Sequence, residues 1–147
     1  MRPTRWPTVV GLLLGLGVLG WVFAELAWDD LAELPAYAPA TAVVIAAFEL
    51  GLARVVHRKV RGTVPVGKPM HPLQVARAAA LAKASSAAGA MLAGFYGGFL
   101  VWLLPRTEKA AAGRDAWVSA WSALACLVLL GAALLLERAC RTPPEPD

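Results

Sequence analysis

The chain has 147 residues, of which 59% are hydrophobic and only 16% charged, with a formal net charge of +4. Ordinary soluble domains carry roughly 25% charged residues, so the composition excludes a water-soluble globule, whose surface needs polar cover. The remaining charges are clustered and leave four long runs with one charge or none.

A helix needs about 20 apolar residues to cross the hydrocarbon core of a bilayer. Val9–Trp28, Leu34–Ala53, Ala84–Leu104 and Ala116–Leu136 all reach that length; Glu25 and Glu49 are the single charges of the first two, and the last two have none. The runs are continuous, without the period-two alternation of barrel strands, and no piece between them is long enough to bury a core of its own. The sequence therefore predicts an all-α, integral membrane four-helix bundle with short loops. It forms a single membrane domain over 1–147, with helices over approximately 8–28, 35–54, 78–104 and 116–137.

In the first element, Arg2 and Arg5 precede a run longer than the apolar core of a signal peptide, so the helix is read as retained. Trp28 and the acidic link Asp29, Asp30 and Glu33 follow. Pro35 and Pro39 lie near the start of the second element, where a missing N–H is tolerated. A basic link over 55–77 comes next. Arg54, Arg58, Lys59 and Arg61 suit anionic lipid headgroups. The link has no aromatic residue for base stacking, so nucleic acid is not an expected partner. Pro65, Pro69 and Pro72 punctuate it, with Pro72 well placed as the first residue of the third helix.

The third element is dominated by small residues in two rows at four-residue spacing. One row is Ser85, Gly89, Ala93 and Gly97; the other is Ala82, Ser86, Ala90, Gly94 and Gly98. In lipid, helices associate through close backbone approach rather than the hydrophobic effect. Glycine is a poor helix former, so its recurrence here points to packing. The third helix is read as the central packing helix, and Gly11 with Gly15 as the matching motif on the first. Beyond the fourth element, the proline-rich tail 142–147 cannot be helical and is read as disordered.

Orientation follows from Lys and Arg. The flanks and the second link hold Arg2, Arg5, Arg54, Arg58, Lys59, Arg61, Lys68, Arg77, Lys83, Arg138 and Arg141, against Arg106, Lys109 and Arg114 on the other side. Eleven against three puts both termini in the cytoplasm. Trp28, Tyr37, Trp102 and Trp117 then fall at the outer interface, where amphipathic rings prefer to sit.

Glu49 lies about 7 Å inside the cytoplasmic boundary and Lys83 about 9 Å, counting helical rise from Arg54 and Arg77. A lone charge there costs a few kcal/mol on insertion scales, about 3. An ion pair between Glu49 and Lys83 is therefore expected, with Ser85 and Ser86 as nearby hydrogen-bonding groups. Its role is either to lock two helices or to form a proton or substrate site.

Catalytic chemistry is sparse. His57 and His71 are not spaced as metal ligands, and Cys126 and Cys140 stand about 21 Å apart along one helix, too far to bridge. There is no phosphate-cradling loop and no nucleophile elbow. Asp29-Asp30-Leu-Ala-Glu33 resembles half of a prenyltransferase diphosphate–magnesium motif, but it is single and is read as an acidic outer loop. No enzyme activity, cofactor or metal is expected.

Three stretches carry a family resemblance. They are the opening Met1-Arg-Pro-Thr-Arg-Trp6, the segment from His71 to Ser85 (its Arg77–Lys83 part above all), and the ending from Cys140 to Asp147. They resemble an uncharacterised family of actinobacterial membrane proteins, domain of unknown function 3180. The resemblance implies a small multi-pass protein in the cytoplasmic membrane and supplies no activity or site residues. The function expected is a non-enzymatic scaffold or accessory subunit acting through helix–helix contacts, as a homo-oligomer or with a membrane-protein partner. The alternative is a small oligomeric transporter that uses Glu49 as its coupling carboxylate.

Overall fold

The structure, a computed structural model, describes residues 6–28, 34–35, 37–60 and 72–140. Asp29, Asp30, Glu33, Arg61, Lys68, His71, the first five residues and the tail 142–147 lie outside the described residues. Four helices make up almost all of it: α1 (Trp6–Ala27), α2 (Ala38–Val60), α3 (Pro72–Leu103) and α4 (Ala110–Ala139). All four are long and apolar enough to cross a membrane.

The helices overrun their apolar segments. α2 continues to Val60 and α3 starts at Pro72, so much of the stretch read as a basic link is helical; α4 starts at Ala110 rather than near 116. A helix need not stop where the hydrocarbon does. Ala76–Lys83 and Ala110–Ala112 are strong helix formers, and water or headgroups can satisfy the helix ends beyond the core. A 3₁₀ turn, Leu104–Arg106, with Pro105 in its first turn, ends α3. Lys109, in extended conformation, then turns the chain into α4, and the Lys109 N–H donates to the Arg106 carbonyl at 3.1 Å.

The side-chain distribution is inverted relative to a soluble protein. The interior is built mainly from alanine, including Ala46, Ala53, Ala82, Ala90 and Ala133, while Leu14, Val18, Trp21, Phe48, Val44 and Trp117 face outward. In water such a surface would be one large aggregation patch; in lipid it is the expected exterior. The chain is a multi-pass membrane protein.

The helices pack in the order α1–α3–α4–α2. α3 lies against both α1 and α4, and α2 lies against α4; α2 and α3 meet only marginally, and α1 and α2 do not touch among the described residues. The bundle is thus open between its first and second helices. Both flanking pairs are parallel and hold a nearly constant register. Gly17 meets Gly98 and Leu34 meets Asp115, each 81 residues apart, while Ala46 sits by Leu129 and Ala53 by Leu136. One end of the bundle carries Arg54, Arg77 and Arg138 and is called the basic end here; the other carries Trp28, Trp102 and Arg106, the tryptophan end.

Candidate functional site

The α1–α3 seam is made of backbone against backbone. A β-carbon at Gly94 would collide with the Leu13 carbonyl, one at Gly98 with the Gly17 carbonyl, and one at Gly20 with the Phe95 carbonyl. Only glycine permits that approach. Of the small residues singled out on α3, Gly94 and Gly98 therefore meet α1. Gly89 meets α4 instead, where a β-carbon would stand 3.1 Å from the Leu130 nitrogen. Ala93 joins Ala125 and Cys126 of α4 and Ala42 of α2, and Gly97 has nothing nearby. On α1 the interface uses Gly17 and Gly20, whereas Gly11 and Gly15 face open space. The four-residue spacing located the α1 contact on α3, at Gly94 and Gly98, but on α1 the expected Gly11 and Gly15 are not the contact, because the face used there is fixed by the partner's groove, which a single helix sequence does not encode.

Glu49 projects from α2 into the place where α2, α3 and α4 converge, and it is 0% exposed. The clusters on either side fix its depth. Ala46 packs with Leu129 and Ala132 on one side, and Ala53 and Val56 pack with Ala78, Ala82 and Leu136 on the other. Ser85 of α3 lies beside the carboxyl group. Neither carboxylate oxygen has a hydrogen-bond partner among the described residues.

Of the ion pair expected between Glu49 and Lys83, the structure shows that neither Glu49 oxygen accepts a hydrogen bond among the described residues. Lys83 is exposed on α3, and the Ser86 hydroxyl donates to the Lys83 carbonyl at 3.0 Å rather than to Glu49. The expectation treated α2 and α3 as packed neighbours because they follow each other in sequence; α2 docks on α4 instead. Arg54 is exposed at the basic end, and Arg58 and Lys59 belong to the last turns of α2.

The largest set of polar groups missed in the sequence lies on α4. Asp115, Ser119, Ser122 and Cys126 share one buried face at spacings of four, three and four residues. Asp115 accepts a hydrogen bond from the Leu34 N–H at 3.4 Å, which ties the start of α4 to the segment leading into α2. The Ser119 and Ser122 hydroxyls have no hydrogen-bond partner among the described residues, and Cys126 packs beside Tyr96. These are the polar residues of an otherwise apolar span, and their helical periodicity was the available signal.

At the tryptophan end, the Trp102 indole N–H donates to Glu25 and Arg106 pairs with the same carboxylate at 3.7 Å. The Arg106 guanidinium also lies 4.0 Å over the Trp102 ring and donates to the Trp102 carbonyl at 2.8 Å. Trp28 leans on Trp102 with ring centroids 5.5 Å apart. This cluster clamps the end of α1 to the turn after α3. At the basic end, burial pushes the Cys140 thiol up from its ordinary range, and the nearby Glu137 charge adds to that.

Among the described residues, no group of three or more His, Cys, Asp or Glu side chains could hold a metal ion. The distinctive features of the geometry are the buried, unpartnered carboxyl and the glycine-lined seam. The model of a family described as "Protein of unknown function (DUF3180)" matches residues 9–144. No curated protein matches the chain, and no solved structure matches it. The chain belongs to the DUF3180 family.

Proposed function

We propose that this DUF3180 member acts in the cytoplasmic membrane of an actinobacterium as a non-enzymatic scaffold or accessory subunit, working through helix–helix contacts. One observation carries the reading: an apolar groove of about 470 Å³ opens on the membrane-facing side of the α1–α3 seam, lined by Leu14, Gly17, Val18, Trp21, Gly97 and Val101 among others. Gly97, Gly11 and Gly15 all point to open space. Glycine within a helix costs about 1 kcal/mol relative to alanine, and that cost goes uncompensated where no backbone approaches. A transmembrane helix of a partner, or of a second copy, supplies the missing approach.

In this reading both termini face the cytoplasm, and Arg54, Arg58, Lys59 and Arg61 rest on anionic headgroups. The exposed Trp117 and the Trp28–Trp102 pair then sit at the outer interface. Alkaline phosphatase fused at Gly62 is expected to be inactive and at Gly113 active; the reverse pattern inverts the orientation.

Affinity purification from native membranes tests the role. A defined protein is expected to co-purify in fixed proportion, or the chain to run as an oligomer. Gly97→Leu, which fills the groove without touching the α1–α3 contact, is expected to release the partner while thermal unfolding is unchanged. A monomeric chain carrying a bound small molecule would overturn the scaffold reading.

A further inference from the structure

We propose that Glu49 is a proton-binding site within the membrane, reached from the cleft between α2 and α3. This stands on observations separate from the α1–α3 groove and does not depend on the scaffold role. The carboxyl group is fully buried and neither oxygen accepts a hydrogen bond among the described residues. A bare carboxylate in such surroundings is strongly unfavourable, so a buried acid must be matched by a cation or carry a proton.

The surroundings decide between these. Among the described residues, Ser85 brings a hydroxyl beside the two Glu49 oxygens. Helical carbonyls are tied up in their own ladder, and hard cations such as calcium require six to eight oxygen ligands. Among the described residues that set falls short of such a cage, and a single proton neutralises the carboxylate. Among the described residues, no ionisable group of the neighbouring elements donates a hydrogen bond to either oxygen. On α3, Lys83 is exposed two residues before Ser85. On α4 the flanking groups are Cys126, Glu137 and Cys140, and on α2 itself Arg54 is exposed at the basic end.

Access follows from the packing order. α2 rests on α4 and approaches α3 only marginally, with the contact concentrated where Ala53 and Val56 meet Ala78 and Ala82. Beyond that point Ile45 is 47% exposed and Ser85 half-buried. Side chains rather than close-packed backbone therefore separate Glu49 from the lipid on this side. A sway of α2 about its α4 seam opens the site without disturbing α1–α3–α4.

The test uses the full chain in lipid nanodiscs. Infrared spectra at about pH 7, where an ordinary glutamate is ionised, are expected to show the carbonyl stretch of a protonated carboxylic acid, lost in Glu49→Gln. Dicyclohexylcarbodiimide reports access. The O–H of a protonated acid adds across one C=N bond of the reagent, giving an O-acylisourea that rearranges to a stable N-acylurea. Peptide mapping is expected to find this adduct on Glu49, with a rate that falls about tenfold per pH unit once the acid ionises. Ser85→Ala keeps the carboxyl in place and is expected to keep the adduct, which preserves the test if Glu49→Gln fails to fold. Absence of the infrared band overturns the proton, absence of an adduct at every pH overturns the cleft, and protection by sodium ions replaces the proton with a metal cation.

Discussion

The α1–α3 and α2–α4 seams are both parallel helix pairs, yet they are made from different materials. α1 meets α3 through glycine, and at Gly94 and Gly98 not even a methyl group fits. α2 meets α4 through alanine beside the buried Glu49, whose oxygens have no hydrogen-bond partner among the described residues. The first seam is built from glycine contacts and carries the Trp102–Glu25 hydrogen bond at its tryptophan end. The second borders a buried carboxyl that adds no hydrogen bond to it among the described residues. In lipid both kinds of seam are available because close packing, not apolarity, holds helices together.

The largest expected effect tests the glycine seam. Gly98→Leu should cost about 3 kcal/mol, because the obstructing atom is the Gly17 carbonyl and backbone cannot step aside. Thermal unfolding in detergent measures it, and cross-linking between α1 and α3 should fall in parallel. Gly97→Ala, one residue away, should be neutral.

Next comes the polar seam. Glu49→Leu should stabilise the protein by about 2 kcal/mol, since it removes an unpartnered buried polar group and keeps the volume. A destabilised variant would mean that Glu49 holds the helices together after all. Ser119→Ala and Ser122→Ala should lie between neutrality and a gain of about 1 kcal/mol for the same reason. Losses at either site would expose a hydrogen bond to a bound water or ligand.

The clamp at the tryptophan end closes the α1–α3 seam. Its charged side chains are 39% and 50% exposed, so a double-mutant cycle on Glu25→Gln and Arg106→Gln should give less than about 1 kcal/mol of coupling, shrinking with added salt. The mildest effect is kinetic. Burial and then the Glu137 charge raise the Cys140 thiol, so thiolate is scarcer at a given pH. Alkylation of Cys140 should be slower than that of an exposed cysteine and should reach its plateau at higher pH.

What the sequence disclosed and what it withheld divide along local and non-local lines. The four spans were legible because lipid demands long uncharged runs, and Gly94 and Gly98 were legible because glycine is costly in a helix without a close neighbour. Glu49 stood out as a charge where charge is expensive. Its surroundings did not, because they depend on α2 docking on α4, which starts about 50 residues later in the chain. The Glu25–Arg106 contact and the Leu34–Asp115 bond each span 81 residues and share that opacity. The buried face of α4 was within reach of a periodicity argument, since Asp115, Ser119, Ser122 and Cys126 repeat as a helix face should.

The packing order also dictates a schedule for biosynthesis. α2 leaves the ribosome well before the helix it rests on, and its own neighbour in the chain, α1, offers it nothing to hold. After release from the translocon, α2 must wait among lipids until α4 arrives and captures it. A nascent chain halted after α3 therefore holds the docked α1–α3 pair and an α2 that meets α3 only marginally, and the bundle builds from the α1 edge to the α2 edge once α4 is made.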